Sequence, residues 1–203
     1  MSLLVKQFIK PPLRNNNYIV ADDEKKTAVL IDCSSPDDEI MNWVKKNNLK
    51  LEYILITHAH FDHILGVNYY LNKYGLKAFC YEKDAALVER VNEYINMLHF
   101  QEVEQPQLNF FDLTSKFKVG GYPIEIIETP GHTMGGVCYL IDKNLFSGDT
   151  LFQGTCGRTD LRESDENAMR ESLSKLFKKL PDATPVYPGH GAPTTIGQER
   201  NLY

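Results

Sequence analysis

Thr57-His58-Ala59-His60-Phe61-Asp62-His63 follows directly on the apolar run Tyr53-Ile54-Leu55-Ile56. An apolar, β-branched run of that length reads as a buried strand. The polar cluster therefore begins where the strand ends, a position from which the loops of an α/β sheet carry function. A single histidine is ordinarily a satisfied core or surface residue. Three imidazoles and a carboxylate within six residues are a different matter. Neutral imidazole with carboxylate suits Zn, Fe or Mn better than hard Ca or soft Cu(I), and the cluster reads as a metal site.

Upstream of it, Val5-Phe8, Asn17-Val20 and Ala28-Ile31 read as short strands, with Asn15-Asn16-Asn17 and Asp22-Asp23-Glu24-Lys25 as turns. Asp32, just past the third strand, either faces the metal loops or caps the next helix and bonds a loop amide. That helix is expected to start at Ser35-Pro36, carry Ile40, Trp43 and Val44 inward, and stop near Asn47-Asn48. Leu51-Ile56 delivers the histidine cluster; Ile64-Leu65, Tyr69 and Leu71 then keep helical spacing. Lys77-Tyr81 reads as a strand and Lys83-Arg90 as a short helix, with an irregular stretch to Gln107. Residues 92–105 form either a lid or an oligomer contact, and isolated His99 reads as a loop or cleft residue rather than a ligand.

From Leu108 the pattern returns to strands: Leu108-Phe111, Lys116-Val119, Tyr122-Glu128, Val137-Ile141 and Asn144-Ser147. A helix is predicted from Asp165 to Lys179 with Met169, Leu173, Leu176 and Phe177 on one stripe. Pro185-Val186-Tyr187 is a last strand. Strand meanders alternate with helices twice, so the expectation is an α/β fold of two similar halves, two sheets face to face with helices outside.

Composition narrows the class. The chain has 203 residues, 42% of them hydrophobic, and a formal net charge of -5. That fits one domain, argues against a non-specific nucleic-acid binder, and no stretch reaches the roughly 18 apolar residues of a membrane span. Cys33, Cys80, Cys138 and Cys156 are far apart without a Cys-x-x-Cys pair, and the N-terminus lacks signal-peptide features. A cytosolic protein with reduced thiols and a small-molecule substrate is expected; oligomeric state is not legible.

Three later loops each offer one metal donor beside glycine, just past a strand: Thr129-Pro130-Gly131-His132, Ser147-Gly148-Asp149-Thr150 and Pro188-Gly189-His190-Gly191. Glycine permits tight loops that aim one side chain at a point.

His-x-His-x-Asp-His followed in order by Pro-Gly-His, Gly-Asp and Pro-Gly-His resembles the metallo-β-lactamase fold, over residues 17 to 198. The resemblance implies a four-layer αββα sandwich with a site for two divalent metal ions, zinc first, with iron or manganese compatible. By position, His58, His60 and His132 would bind the first ion, Asp62, His63 and His190 the second, and Asp149 would bridge them. Such a centre implies hydrolysis by metal-activated water, with Asp62 also orienting or deprotonating it.

The loop Leu151-Phe152-Gln153-Gly154-Thr155-Cys156-Gly157-Arg158-Thr159-Asp160 is similar to that of glyoxalase II enzymes, which hydrolyse thioesters of glutathione. Their basic residue at the place of Arg158 holds a glutathione carboxylate; the alternative is an internal Arg158–Asp160 pair. Asp160 and Ala192 stand where that family has aromatic residues, and the 13 residues after His190 leave no room for its C-terminal helical domain. A single-domain, glyoxalase II-like thioesterase is therefore expected. The alternatives are a one-iron persulfide dioxygenase, whose loop is also Gly-Arg-Thr-Asp, or a hydrolase of another small ester, amide or lactone.

Overall fold

The first three strands, β1 (Leu3–Lys10), β2 (Asn15–Asp22) and β3 (Thr27–Ile31), form an antiparallel meander. Along β2 every residue is buried, yet Ile19 and Ala21 enter one core while Tyr18 and Val20 enter another. The period-2 alternation of a strand thus sorts its side chains between two layers. This is a computed structural model describing residues 3–202; Met1, Ser2 and Tyr203, the first two belonging to the N-terminal segment read above, lie outside the described residues.

Three parallel strands extend this sheet: β4 (Lys50–Leu55), β5 (Ala78–Tyr81) and β6 (Asn109–Phe111). Helices α1 (Glu39–Lys46), α2 (Phe61–Ile64), α3 (Val67–Tyr74), α4 (Ala85–Glu89) and α5 (Val91–Met97) make the crossovers. The second sheet runs β7 (Phe117–Val119), β8 (Tyr122–Glu128), β9 (Val137–Ile141) and β10 (Asn144–Gly148), all antiparallel. A hairpin of β11 (Leu151–Phe152) and β12 (Thr155–Cys156) follows. Helix α6 (Glu166–Lys179) then returns the chain to β13 (Pro185–Pro188), parallel to β10, with β14 (Thr194–Thr195) at the edge before α7 (Ile196–Arg200).

Three hydrophobic cores define four layers. Ile19, Leu30, Ile54 and Ile56 pack against Ile40, Val44, Val67 and Tyr70 of the first helical layer. Tyr18, Val29, Leu55, Tyr139 and Phe146 fill the space between the sheets. Cys138, Leu145 and Val186 meet Met169, Leu173, Leu176 and Phe177 of α6, the stripe the sequence predicts. The expected αββα sandwich of two facing mixed sheets is the observed architecture.

Local departures have physical causes. Asn15, Asn16 and Asn17 are not a turn but the buried start of β2. Helix α1 begins at Glu39, not Ser35-Pro36; Asp37 accepts from the Glu39 amide. Asp38 is instead held by Lys73, Tyr69 and Tyr74 of α3. After the cluster, Ile64, Val67 and Tyr70 are the buried stripe rather than Tyr69 and Leu71, because the chain breaks between α2 and α3. That break brings Gly66 against Cys33 and Ser35, where a Cβ would collide with Cys33 Sγ. The stretch expected to be irregular after Arg90 contains α5, whose Val91 and Ile95, four apart, enter the first core. His99 is exposed at positive φ, with the Phe100 amide bonded back to Ile95 O, and ends that helix.

Candidate metal centre

Four strand ends empty into one edge of the sandwich. The cluster after β4, the 129–136 loop after β8, and the loops after β10 and β13 bring their donors together there. His58, His60 and His132 have ligand atoms within 4.8 Å of one another, as do Asp62, His63 and His190, and also His58, His63 and Asp149. Asp149 straddles the two sets: Oδ2 lies 3.4 Å from His132 Nε2 and 3.6 Å from His190 Nε2, and Oδ1 lies 3.5 Å from His63 Nε2.

Glycine acts here in two ways. Gly131 and Gly148 have positive φ. Gly189 does not, but a Cβ on it would run into Asp149 Oδ1 and the His63 ring, so its role is to leave room for the donors.

Four of the rings, those of His58, His60, His63 and His132, are oriented by their outward nitrogens. His63 Nδ1 lies 2.8 Å from Asp32 Oδ2. A carboxylate only accepts, so Nδ1 carries a proton, and in the neutral ring Nε2 keeps its lone pair toward the centre. His132 Nδ1 donates to the Arg158 carbonyl at 2.9 Å, and His60 Nε2 to Glu163 Oε1 at 2.7 Å. Thr57 Oγ1 donates to Asp32 Oδ2 and so accepts from His58 Nδ1 at 3.1 Å. Asp32 therefore aims two of the rings, one directly and one through Thr57, and its other oxygen accepts the Thr57 amide at 2.8 Å. Both readings left open for it in the sequence, facing the metal loops and bonding a loop amide, describe it. It does so at positive φ, a conformation Asp tolerates better than most residues.

The inward atoms fit a metal. His58 Nε2, His63 Nε2 and Asp149 Oδ1 are buried with no hydrogen-bond partner among the described residues, a cost that coordination removes. His60 Nδ1 and His132 Nε2 face each other at 2.8 Å; with protons on their outer nitrogens, both present lone pairs and need a cation between them. Burial and the neighbouring rings hold His58 well below the usual imidazole range, in the neutral form a metal requires. Burial opposes ionisation of Asp62, but His63, His190 and Asn15 outweigh it and keep its carboxyl well below the carboxylate range. Burial likewise disfavours a charged His63, yet Asp32, Asp149 and Asp62 push it well above the imidazole range. The site thus concentrates negative charge, and a divalent cation satisfies it better than a proton.

Sequence reasoning missed the supporting residues. Asn15 Nδ2 donates to Asp62 Oδ2 at 2.7 Å, Asn16 Nδ2 to the carbonyls of Pro188 and Gly191, and Asn17 pairs with Ser34. Glu163, between Tyr94 and His60, was also missed. So was Asp84, which accepts from the Ala59 and Gly135 amides and from Thr133, tying the histidine cluster to the His132 loop.

A cleft of about 380 Å³ lies over the centre, lined by Leu13, Phe61, Tyr94, Met97, Leu98 and Leu161 beside the metal donors and Arg158. The exposed Arg158 guanidinium holds Asp160 with two bonds, at 2.7 and 2.8 Å, which is the internal pair weighed above. Tyr94, Met97 and Leu98, from α5 and the residue after it, form one wall of this cleft.

The profile of the Metallo-beta-lactamase superfamily matches residues 11–190. A probable polyketide biosynthesis zinc-dependent hydrolase of Bacillus velezensis is 32% identical over 185 residues, covering 91% of this chain and 76% of its own. A hydroxyacylglutathione hydrolase of Haemophilus influenzae is 31% identical over 192 residues, covering 92% and 90%. A crystal structure in a di-iron-bound form superposes with a TM-score of 0.85 at 32% identity, over 98% of both chains. The chain belongs to the metallo-β-lactamase superfamily and is a metallo-hydrolase of it.

Proposed function

We propose that this member of the superfamily is a binuclear thioester hydrolase of the glyoxalase II type. The observation that carries the binuclear part is the pair of three-residue donor sets with Asp149 between them. The thioester part is supported by the Gly157-Arg158-Thr159-Asp160 loop and by likeness to a hydroxyacylglutathione hydrolase along most of both chains. His58, His60 and His132 would hold one ion, Asp62, His63 and His190 the other, and Asp149 both. Zinc suits these donors first, and iron or manganese are compatible. When bound, such ions polarise a carbonyl and make water acidic enough to attack near neutral pH.

The chain's own residues do the rest. Asp62, kept ionised and anchored by Asn15, orients the attacking water and takes its proton. Asp32, Thr57 and Glu163 hold the imidazoles in the tautomers that present lone pairs inward. Arg158 contacts substrate from the cleft wall, and a substrate carboxylate would have to compete there with Asp160.

Hydrolysis of S-lactoylglutathione by metal-loaded protein, followed as loss of thioester absorbance, tests this reading. Turnover supports it. No turnover of this or any other thioester, with oxygen uptake on a persulfide substrate instead, replaces it with the one-iron dioxygenase.

A further inference from the structure

The cleft is apolar where the resemblance leads one to expect charge. Met97 is 75% exposed, Leu98 47% and Leu13 45%, and all three line the cavity above the donors. Single exposed apolar side chains need no explanation, but a contiguous group at the mouth of a reactive site marks a binding surface. Tyr94 and Leu161 continue it inward. Among the described residues Arg158 is the arginine of this lining, and it is already paired with Asp160, so an acyl carboxylate would have to compete for it. Another arginine, Arg14, makes no ion pair among the described residues and lines a separate concavity of about 530 Å³ with Gln7 and Asn16. The two concavities meet at Leu13 and His190.

We infer that the enzyme selects thioesters with an uncharged, apolar acyl group, seated against Met97, Leu98 and Leu13. The thiol carrier leaves across His190 along the Arg14 side. This inference rests on the thioester reading above. Hydrolysis forms a C–O bond from water and breaks the acyl C–S bond. The water's two protons are shared out: one ends on the departing thiolate, giving the thiol, and one is lost as the acyl group becomes a carboxylate. Nothing in that balance needs a charge on the acyl chain, and burying a terminal carboxylate against these side chains without a partner is costly.

The experiment is a series of N-acetylcysteamine thioesters hydrolysed by the metal-loaded enzyme. From acetyl to hexanoyl, kcat/KM is expected to rise about 4-fold per methylene, the value of burying one CH₂. Adipoyl, with the same carbon count but a terminal carboxylate, is expected to lag hexanoyl by about 10-fold or more. The exposed-site double variant Met97→Ser/Leu98→Ser is expected to lower the hexanoyl-to-acetyl ratio about 10-fold. A flat acyl series, adipoyl matching hexanoyl, or a ratio unmoved in the variant overturns the inference while leaving a working thioesterase. Failure of every member in a preparation that hydrolyses S-lactoylglutathione overturns this inference alone; failure with S-lactoylglutathione as well removes the thioester reading, and this inference with it.

Discussion

Glu163 is the clearest case of a residue that acts through another. It accepts from His60 Nε2 at 2.7 Å and from the Tyr94 hydroxyl, and those bonds outweigh burial to hold its carboxyl down at about 2. Carboxylate-backed histidines bind metal more tightly because ring orientation and basicity are both set. Glu163→Gln is therefore expected to weaken metal binding by about 10- to 100-fold, read by competition with a chromophoric chelator. Unchanged affinity would reduce Glu163 to a structural bond. The seven candidate metal donors, which the structure gathers at one edge of the sandwich, were legible in the sequence, because metal chemistry demands particular side chains next to glycine at strand ends. Asn15, Glu163 and Asp84 were not, since one Asn, Glu or Asp looks like any turn or surface residue until the fold places it. Arg158 was legible as a candidate, and its partner Asp160 decides how much of its charge a substrate can use.

The elements of the second half follow from local chemistry. Helix α6 is capped by Asp165, whose side chain accepts from the Ala168 amide at 2.8 Å. Asp165→Ala is expected to cost about 1 kcal/mol in urea unfolding; no change would mean that packing of Met169, Leu173 and Leu176 alone sets the helix start. The first half depends more on long-range contacts, and there the sequence reading slipped. The start of α1 moved because Asp38, an attractive early helix residue, is bound by Lys73, Tyr69 and Tyr74 of α3. Lys73 and then the two hydroxyls hold its carboxyl well below the carboxylate range. The folded value is thus depressed relative to an unfolded value of about 3.9. Its stabilisation is present above that pH and is lost as pH falls toward the folded value. Asp38→Asn should accordingly differ from the parent in Tm at pH 6, with the gap constant down to about pH 4 and narrowing steadily as the pH is lowered further. A gap that does not narrow below about pH 4 would assign the effect to packing instead. Helix α5 was missed because its buried stripe is only Val91 and Ile95, with Met97 and Leu98 turned to the cleft.

At the scale of the whole molecule, four layers and three cores serve to bring loops from both sheets to one edge. Alternating apolar runs made the sandwich legible; the pairing of β10 with β13 across α6 was not, because parallel partners far apart in sequence leave no local mark. Since both halves contribute donors, metal should bind the folded sandwich and not the unfolded chain. Adding zinc at about 100-fold over Kd to chelator-stripped protein is expected to stabilise it by about 2.7 kcal/mol per site, or about 5 to 10 °C in Tm. No shift would mean that the loops do not form a site together. The most direct test of a shared binuclear hydrolytic centre is metal content and thioester turnover measured side by side on the parent and Asp149→Ala. We expect two divalent ions per chain with turnover in the parent, and loss of metal and rate together in the variant. An Asp149→Ala protein that keeps both ions and the parental rate would contradict it.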